Sequence, residues 1–522
     1  MGGSEVLFAD VMEAAHQAGT EVVYWSEPGG RGPASRRNGG NRSGRRDRLR
    51  GSPEPPRSSA RSRFRCRPDP VPPVPCARST GRTRAEPLYV REDDARVRGD
   101  VRRTLIECIM TVGRARIGFY CPGVGTGGPW RYVHSILGGL DPNEFDAAVY
   151  CDLPGEYAPR PWVRVVRLGG ADHAPGGAPL GAPPAPAAPR ARGPALVRLA
   201  PPAVRLWAGV GKQARRLARL FRRNPADLIH TQNTGCEESP IAAKLAGVRS
   251  VLGTFHVDPT YDLHCERSSP SYRLLELASN RCLDTAIAVS RATKRYWVRR
   301  THIPANRVIT IHNGIDPDKF RRRQNRADAR RALGLATDGL IVGGLGRLEE
   351  AKGFTYLLAA AARLRAEFSN LTVVIAGAGP LRESLERQAS QLGPAGSVRF
   401  LGFQSDVQTV LDSLDVFAMP SLCETLGYAL LEAMATELPA VGSAVGGIPE
   451  VIAPGETGLV VPPRDAGLLA DRLRVLLKDR ALRDRWGAAG RHRVIREFNE
   501  HAMVQKTVDV YRARVARRKE PK

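Results

Sequence analysis

Residues 415–450 constrain the fold of this 522-residue chain more than any other stretch. Residues 415–419 predict a short buried strand, Pro420 and Ser421 predict a turn, and residues 427–435 predict a helix with an apolar side. A helix that starts directly after a strand aims unpaired backbone N–H groups into a crevice, where an anionic phosphate is favoured. The stretch therefore predicts an α/β sheet with a phosphate site at the carboxyl ends of its strands.

Two carboxylates, Glu424 and Glu432, flank the predicted start of this helix. Along a helix they would stand about 12 Å apart, at about 1.5 Å per residue. Glycoside hydrolases hold their two catalytic carboxyl groups only about 5 to 9.5 Å apart. A ligand with a hydroxyl-bearing group at each end and a diphosphate between them fits the wider spacing better. A nucleotide-sugar has that shape.

An arginine and a lysine, Arg347 and Lys352, follow another predicted strand that begins at Leu340. A guanidinium binds phosphate as a bidentate fork and an ammonium binds it as a point charge, so the pair can clamp a diphosphate. Gly344 and Gly346 resemble the start of a dinucleotide fingerprint, but Glu349 stands where its third glycine belongs. This departure disfavours an NAD-dependent enzyme, which is a rival hypothesis.

These residues occur in the order of a known signature. Glu424, Glu432, the run Gly446-Gly447-Ile-Pro-Glu450 and residues 458–462 are similar to the signature of glycosyltransferase family 4, and the resemblance covers about residues 116 to 510. It implies the GT-B fold, an α/β fold in which two Rossmann-like domains with parallel sheets face each other across a cleft. It also implies retaining, metal-independent transfer of a sugar from a nucleotide-sugar donor to a hydroxyl acceptor.

The resemblance further implies a role for each matching residue. Arg347 and Lys352 bind the donor diphosphate, Glu424 holds sugar hydroxyls, Glu432 holds the ribose, and His256 contacts the donor sugar near the attacking hydroxyl. The implied catalytic set is Arg347, Lys352, His256 and Glu424. The implied donor-binding set is Gly127, Gly128, Gly377, Gly402, Glu424, Thr425, Leu426, Gly427 and Glu432.

Two of these assignments have alternatives. His256 could be a structural histidine, and Gly127-Gly128 could belong to a plain βα turn. Thr425-Leu426 replaces the small residue and phenylalanine that are frequent in the family, which leaves the donor open. Asp316 and Asp318 form an Asp-x-Asp, but Asn-Gly and Asp-Pro mark turns, so we expect a turn rather than a metal site.

The predicted regions are four. Residues 1–115 form a disordered Arg/Pro/Gly-rich extension, residues 116–305 the acceptor-side domain, residues 306–495 the nucleotide-sugar-binding domain, and residues 496–522 a final helix with a basic tail. The extension contains sixteen arginines and no lysine between residues 31 and 85. Such a composition cannot bury enough apolar surface to fold, and we hypothesise that it is an artefact of the gene model.

The net charge of +26 would suit nucleic acid, but much of it lies in residues 31–85, where the one aromatic residue, Phe64, gives no interleaved platforms for base stacking. We therefore expect no nucleic-acid partner. The nine cysteines are irregularly spaced without a Cys-x-x-Cys pair, so neither a zinc site nor a disulfide framework is expected. No cofactor is expected besides the nucleotide-sugar substrate.

No apolar run approaches the length of a membrane span, so the expected location is the cytoplasm. The predicted helix at residues 202–223 is apolar on one side and arginine-rich on the other. Such a helix suits peripheral contact with an anionic membrane, or equally a core-facing position with a solvated basic side. The expected role is synthesis of cell-surface polysaccharide or glycolipid, with an unknown acceptor. The alternative is a catalytically inactive nucleotide-binding or basic interaction protein.

Overall fold

The structure is a computed structural model that describes residues 114–122, 127–151, 162–168, 201–233, 237–256, 270–391 and 396–516. The predicted disordered extension therefore lies, up to residue 113, outside the described residues. The described residues form two parallel sheets flanked by helices. The prediction of two Rossmann-like domains is confirmed.

The first sheet has seven described strands in the order β3-β2-β1-β4-β5-β6-β7. Their bounds are β1 Ala115–Tyr120, β2 Phe145–Cys151, β3 Val163–Arg167, β4 Leu228–Asn233, β5 Ser250–Phe255, β6 Thr285–Ala288 and β7 Val308–Thr310. The strand order reverses between β1 and β4. In open parallel sheets, ligands bind outside the carboxyl ends of the strands at such a reversal.

Helices cover both faces of this sheet. They are α1 Gly128–Gly139, α2 Pro202–Arg223, α3 Glu238–Leu245, α4 Pro270–Arg281 and α5 Arg291–Thr301. Side chains alternate along β1, so Phe119 packs with Tyr132 of α1 on one face, while Tyr120 packs with Phe221 of α2 on the other. Burial on both faces explains why β1 and β2 are mostly apolar.

The second sheet has six described strands in the order β10-β9-β8-β11-β12-β13, with a reversal between β8 and β11. The strands are β8 Leu340–Leu345, β9 Leu371–Ala376, β10 Val398–Gly402, β11 Val416–Met419, β12 Ala440–Ser443 and β13 Gly458–Val461. The helices are α6 Arg326–Ala332, α7 Phe354–Leu364, α8 Arg382–Gln391, α9 Val407–Ser413, α10 Tyr428–Ala435, α11 Ile448–Val451, α12 Ala466–Lys478 and α13 Arg480–Glu497.

The last helix, α14 Glu500–Ala516, returns to the first half. Its side chains Met503, Val504, Val508 and Tyr511 belong to the same buried cluster as Phe119 and Phe145 of the first sheet. Where the chain crosses back, the Glu500 backbone N–H donates to the Ile315 carbonyl oxygen at 2.9 Å. The final helix that the sequence predicts after residue 496 therefore packs against the first half.

The predicted boundary between residues 305 and 306 is wrong. Strand β7, at Val308–Thr310, pairs in parallel with β6 and so completes the first sheet. The first half therefore continues past residue 305. It also includes α14, which was predicted as a separate region at 496–522; residues 517–522 lie outside the described part.

One carboxylate joins the two halves. Glu450, in α11 of the second half, accepts hydrogen bonds from the backbone N–H groups of Arg291 (2.9 Å) and Ala292 (2.8 Å), the first residues of α5 in the first half. Its Oε2 also lies 2.8 Å from His312 Nε2. The carboxylate thus caps a helix of the opposite half, where unpaired N–H groups favour a negative charge.

None of the described helices combines the length and the apolar character that crossing a bilayer requires.

Candidate active site

The starts of two helices from opposite halves face each other. Helix α1 begins at Gly128, and a Cβ placed on Gly128 would lie 3.5 Å from the ring of Tyr428, the first residue of α10. Neither helix start has a side-chain cap. The first turns of both helices therefore border one cleft, where the positive ends of the helix dipoles favour an anion. The structure thus brings Gly127, Gly128 and Gly427 together.

A lysine and a glutamate meet beside α10. Lys352 Nζ donates to Glu424 Oε2 at 2.5 Å, and both side chains are mostly buried. Lys352 comes from the loop after β8 and Glu424 from the loop after β11, neighbouring strands whose carboxyl ends share one edge. Glu424 precedes α10 rather than lying in it, so the helical spacing assumed between Glu424 and Glu432 does not apply.

Two glycines hold the loop that carries Glu424. A Cβ on Gly446 would lie 1.4 Å from the Glu424 carbonyl oxygen, and one on Gly447 would lie 2.4 Å from the Thr425 carbonyl oxygen. Gly446 also has a φ of +51°, in the region that favours glycine. The Gly446-Gly447 pair therefore allows the backbone of residues 424–425 to pack directly against residues 446–447. The next residue, Leu426, is buried.

Arg347 pairs with a different carboxylate. Its side chain is 57% exposed and forms an ion pair with Glu349. Arg347 lies in the same loop as Lys352, yet the structure does not place it against Glu424. Its predicted contact with a diphosphate would require the side chain to leave Glu349.

The predicted glycines of the second half line the neighbouring strand ends. The Gly377 N–H donates to the Gly402 carbonyl oxygen at 2.7 Å, so the ends of β9 and β10 are in contact. Gly377 has a φ of +144°, and a Cβ there would lie 1.9 Å from the Gly346 carbonyl oxygen. Only glycine fits this position. Gly377 therefore allows the loop after β9 to pack against the loop after β8, which carries Lys352.

An arginine that the sequence did not reveal spans the cleft. Arg131, in the first turn of α1, forms an ion pair with Glu432 of α10. Its guanidinium carbon lies 4.6 Å from the Tyr428 ring centroid and 5.5 Å from that of Phe320, a cation–π arrangement. In the sequence, the position of Arg131 about one helical turn after Gly127-Gly128 could have indicated a role in the cleft.

His256 lies at the carboxyl end of β5, as the sequence indicates. It is buried, its Nε2 lies 2.7 Å from Gln232 Oε1, and its ring meets Tyr132 edge-on with centroids 4.9 Å apart. Burial lowers the pKa of His256 to about 3, because a charged imidazole would lose its hydration. The ring is therefore neutral at neutral pH and can position a hydroxyl but not act as a general acid.

A second histidine, His230, lies deeper on the same face. Its Nδ1 is 2.7 Å from Tyr511 Oη and its Nε2 is 2.6 Å from Thr254 Oγ1. Burial, and the nearby His256, lower the pKa of His230 to about 3. Both ring nitrogens are bonded within the core, so His230 is a structural residue.

The described residues contain no group of three or more His, Cys, Asp or Glu side chains arranged to hold a metal ion. In the Asp-x-Asp, Asp316 Oδ1 accepts a hydrogen bond from the Asp318 backbone N–H at 3.0 Å. That bond is typical of a turn, as the sequence indicates.

The burial of helix α2 changes along its length. Its second half faces the core, with Leu217 and Phe221 buried. Its first half is exposed, with Val204 54% and Trp207 39% accessible.

Comparison with known proteins agrees with this architecture. Residues 126–319 match the family model described as Glycosyltransferase Family 4, and residues 325–493 match the one described as Glycosyl transferases group 1. Structures of HepE from Anabaena, in complex with UDP and with UDP-glucose, superpose with a TM-score of 0.60 at 20% identity. They cover 76% of this chain and 100% and 99% of HepE, respectively. The predicted GT-B fold is confirmed.

Two relatives extend the comparison. An uncharacterised glycosyltransferase of Methanocaldococcus jannaschii is 32% identical over 231 residues, which are 43% of this chain but only 59% of that protein. Alpha-maltose-1-phosphate synthase of Mycolicibacterium smegmatis is 32% identical over 304 residues, which are 54% of this chain and 77% of that enzyme. Together with the two matching family models, these similarities show that the chain belongs to glycosyltransferase family 4.

Proposed function

We propose that this protein transfers a sugar from a nucleotide-sugar to a hydroxyl acceptor, with retention of anomeric configuration. The observation that carries the proposal is the pair of uncapped helix starts, at Gly128 and Tyr428, facing each other beside the Lys352–Glu424 ion pair. Helix starts bind phosphate groups, so a diphosphate suits the edge where the two starts meet, and a sugar with hydroxyl groups suits the neighbouring carboxylate. The binding of UDP and UDP-glucose by HepE supports this class of donor.

Breaking the anomeric bond leaves growing negative charge on the diphosphate. The N–H groups at the two helix starts and the Lys352 ammonium are fixed in advance near that charge, which is how preorganised sites lower a barrier. Arg347 is the second proposed cation, once its side chain leaves Glu349. With these charges supplied by the protein, the proposed reaction is metal-independent, and we expect turnover to survive chelation of divalent ions by EDTA.

The two carboxylates take different parts of the donor. Glu424 accepts hydrogen bonds from sugar hydroxyls, and Lys352 keeps its carboxylate oriented. Glu432 accepts hydrogen bonds from the ribose through the oxygen that Arg131 does not bind. The acceptor hydroxyl then attacks from the side of the leaving diphosphate, whose oxygen takes the proton, while neutral His256 holds a hydroxyl in place.

The remaining finer proposals concern location and process. We place the protein in the cytoplasm, at the inner face of the membrane, with the exposed half of α2 against anionic lipid. Val204 and Trp207 would enter the interface, and the adjacent cationic side chains would meet lipid phosphates. This position suits synthesis of cell-surface polysaccharide or glycolipid.

A thermal-shift panel tests the donor class. It contains UDP, GDP, ADP, their common sugar conjugates and NAD. A ligand at about 100 times its Kd should stabilise the fold by about 2.7 kcal/mol. We expect one nucleoside diphosphate and its sugar conjugates to stabilise the protein, with the shift lost in Glu432→Ala and kept in Glu383→Ala, an exposed control on α8.

Two outcomes of this panel would contradict the proposal. Protection by NAD alone would favour a dinucleotide-dependent enzyme. No protection by any nucleotide would favour a basic interaction protein with an inactive transferase fold.

A further inference from the structure

Gln232 is a buried amide at the carboxyl end of β4. Only 2% of its surface is exposed. Strand β4 lies next to β1, where the strand order of the first sheet reverses, so the end of β4 belongs to the edge at which open parallel sheets bind ligands. The proposed site makes no use of this residue.

The oxygen of the Gln232 amide has a partner. Gln232 Oε1 lies 2.7 Å from His256 Nε2. An amide oxygen only accepts, so His256 Nε2 carries the proton and its Nδ1 keeps a lone pair. Gln232 therefore selects one tautomer of His256, the histidine proposed to contact the sugar.

The nitrogen of the same amide has no partner. Gln232 Nε2 is buried and makes no hydrogen bond among the described residues. Two residues earlier on the same face of β4, His230 has both ring nitrogens bonded, to Tyr511 and Thr254. Along this face of β4, hydrogen bonding is thus complete at His230 and incomplete at Gln232. Buried donors are almost always paired, and one left open at a ligand-binding edge indicates a ligand acceptor.

We propose that Gln232 binds substrate, its Nε2–H donating to a hydroxyl oxygen of the carbohydrate in the cleft while its Oε1 fixes His256. The inference rests on the proposed function. A hydroxyl is the matching chemistry, because it accepts from the amide without adding charge to a buried site. The hydroxyl belongs either to the sugar being transferred or to the acceptor, and the experiment separates these sources.

The test compares wild type with Gln232→Leu, which removes both amide atoms at similar volume, and Gln232→Glu, which keeps an acceptor for His256 but loses the N–H donor. Calorimetry measures the Kd of a nucleoside diphosphate and its sugar conjugate, the pair selected by the thermal panel: UDP with UDP-glucose, ADP with ADP-glucose or GDP with GDP-mannose. Hydrolysis of the same nucleotide-sugar is also followed, since water then takes the place of the acceptor hydroxyl.

A contact with the transferred sugar predicts that both variants raise the Kd of the nucleotide-sugar about tenfold, the value of one neutral hydrogen bond, and leave that of the nucleoside diphosphate unchanged. A contact with the acceptor predicts unchanged Kd values and hydrolysis slowed about tenfold, again the value of one such bond. Thr254→Val is the matched control. It removes an equally buried polar contact on the neighbouring strand, so it should lower Tm without altering the ratio of the two Kd values.

The proposal is overturned if Gln232→Leu leaves both Kd values and hydrolysis within twofold of wild type. It is also overturned if the variant weakens both ligands equally and lowers Tm, because the amide is then structural. Failure of wild type to bind any nucleotide-sugar is seen before the variants are made, and it rejects the proposed function together with this inference.

Discussion

Lys352 and Glu424 form an ion pair in a cleft whose proposed ligand offers a partner to each. A phosphate attracts the ammonium and sugar hydroxyls donate to the carboxylate, so a nucleotide-sugar can bind both charges without separating them. The pair is mostly buried, where an ion pair is held more tightly than on the surface. In the absence of donor, each charge therefore keeps the other oriented for binding.

Replacing Lys352 should slow the transfer reaction. We expect Lys352→Ala to lower kcat by about 10² to 10³-fold, the usual effect of removing one preorganised group that stabilises developing charge. Arg347→Ala should act in the same direction. Steady-state kinetics with the donor identified by the thermal panel measure both, and Lys319→Ala, at an exposed position, is the control. A near-normal kcat in Lys352→Ala would refute its role.

Acid should weaken the fold through two histidines. Burial lowers the pKa of His230 and His256 to about 3, from 6.5. Between pH 6.5 and pH 3 the two histidines are therefore protonated in the unfolded chain but neutral in the folded chain. The free energy of unfolding is thus highest above pH 6.5 and decreases as the pH falls toward 3. At pH 5 the expected loss is about 2 kcal/mol per histidine.

Urea unfolding at pH 7.5 and pH 5.0 measures this loss. We expect His256→Gln to lose less stability than wild type over that interval, because one of the two imidazoles is gone. Comparing variant with wild type removes the contribution of the carboxylates, which titrate in both. An identical pH dependence in the two proteins would mean that His256 is protonated normally in the folded state.

Individual site residues were predictable where each follows an apolar strand. Lys352, Glu424 and His256 all do, and strand ends in a parallel sheet share one edge. The pairing of Arg131 with Glu432 was not predictable, because the two residues are 301 positions apart. Their contact depends on how the two halves meet, which no local pattern encodes.

Some helices could be predicted from their own sequence, whereas others are recognised only from the residues they pack against. Helix α2 was predicted at its observed bounds, 202–223, because its apolar residues recur at helical spacing. Helices α4 and α5 were not predicted. In α5 the buried residues are Thr293, Trp297 and Thr301, a helical stripe with only one large apolar side chain. Such a stripe is recognised only once the neighbouring surfaces are known.

The exposed half of α2 should bind anionic vesicles. We expect the double variant Arg205→Gln/Lys212→Gln to reduce partitioning onto phosphatidylglycerol-containing vesicles about tenfold or more, since each basic residue near such a surface contributes about 1 kcal/mol. Vesicle sedimentation at two salt concentrations measures the effect. Arg472→Gln/Arg480→Gln removes two exposed charges from the second half and is the matched control.

Equal loss in the two double variants would mean that only net charge matters. No binding by wild type would reject the membrane contact altogether.

For the whole molecule, the alternation of strands and helices was enough to predict two parallel sheets. The boundary between the halves was not, because β7 looks like the start of a new domain yet pairs with β6. Glu450 shows why such features need the structure. It lies in the first turn of α11, yet the helix that its carboxylate caps, α5, belongs to the other half.

The Glu450 cap should contribute to stability. Burial alone would raise the pKa of Glu450, but bonds from His312 and from the Arg291 and Ala292 N–H groups outweigh it and lower the pKa. This stabilisation is therefore present above pH 4.5 and is lost as the pH falls below it. We expect Glu450→Gln to lower the free energy of unfolding by about 1 kcal/mol at pH 7, the usual effect of losing a cap.

Urea unfolding measures this effect, with the exposed Glu456→Gln as control. Equal stability of Glu450→Gln and wild type at pH 7 would show that the cap does not hold the halves together.

The return of α14 to the first half has a consequence for synthesis. A ribosome makes the first sheet early, but the helix that covers Phe119 and Phe145 and supplies the Tyr511 hydroxyl to His230 is made after the whole second half. Until then the nascent first half presents an apolar face and an unpaired histidine nitrogen. The first half therefore cannot mature before the second half has been synthesised.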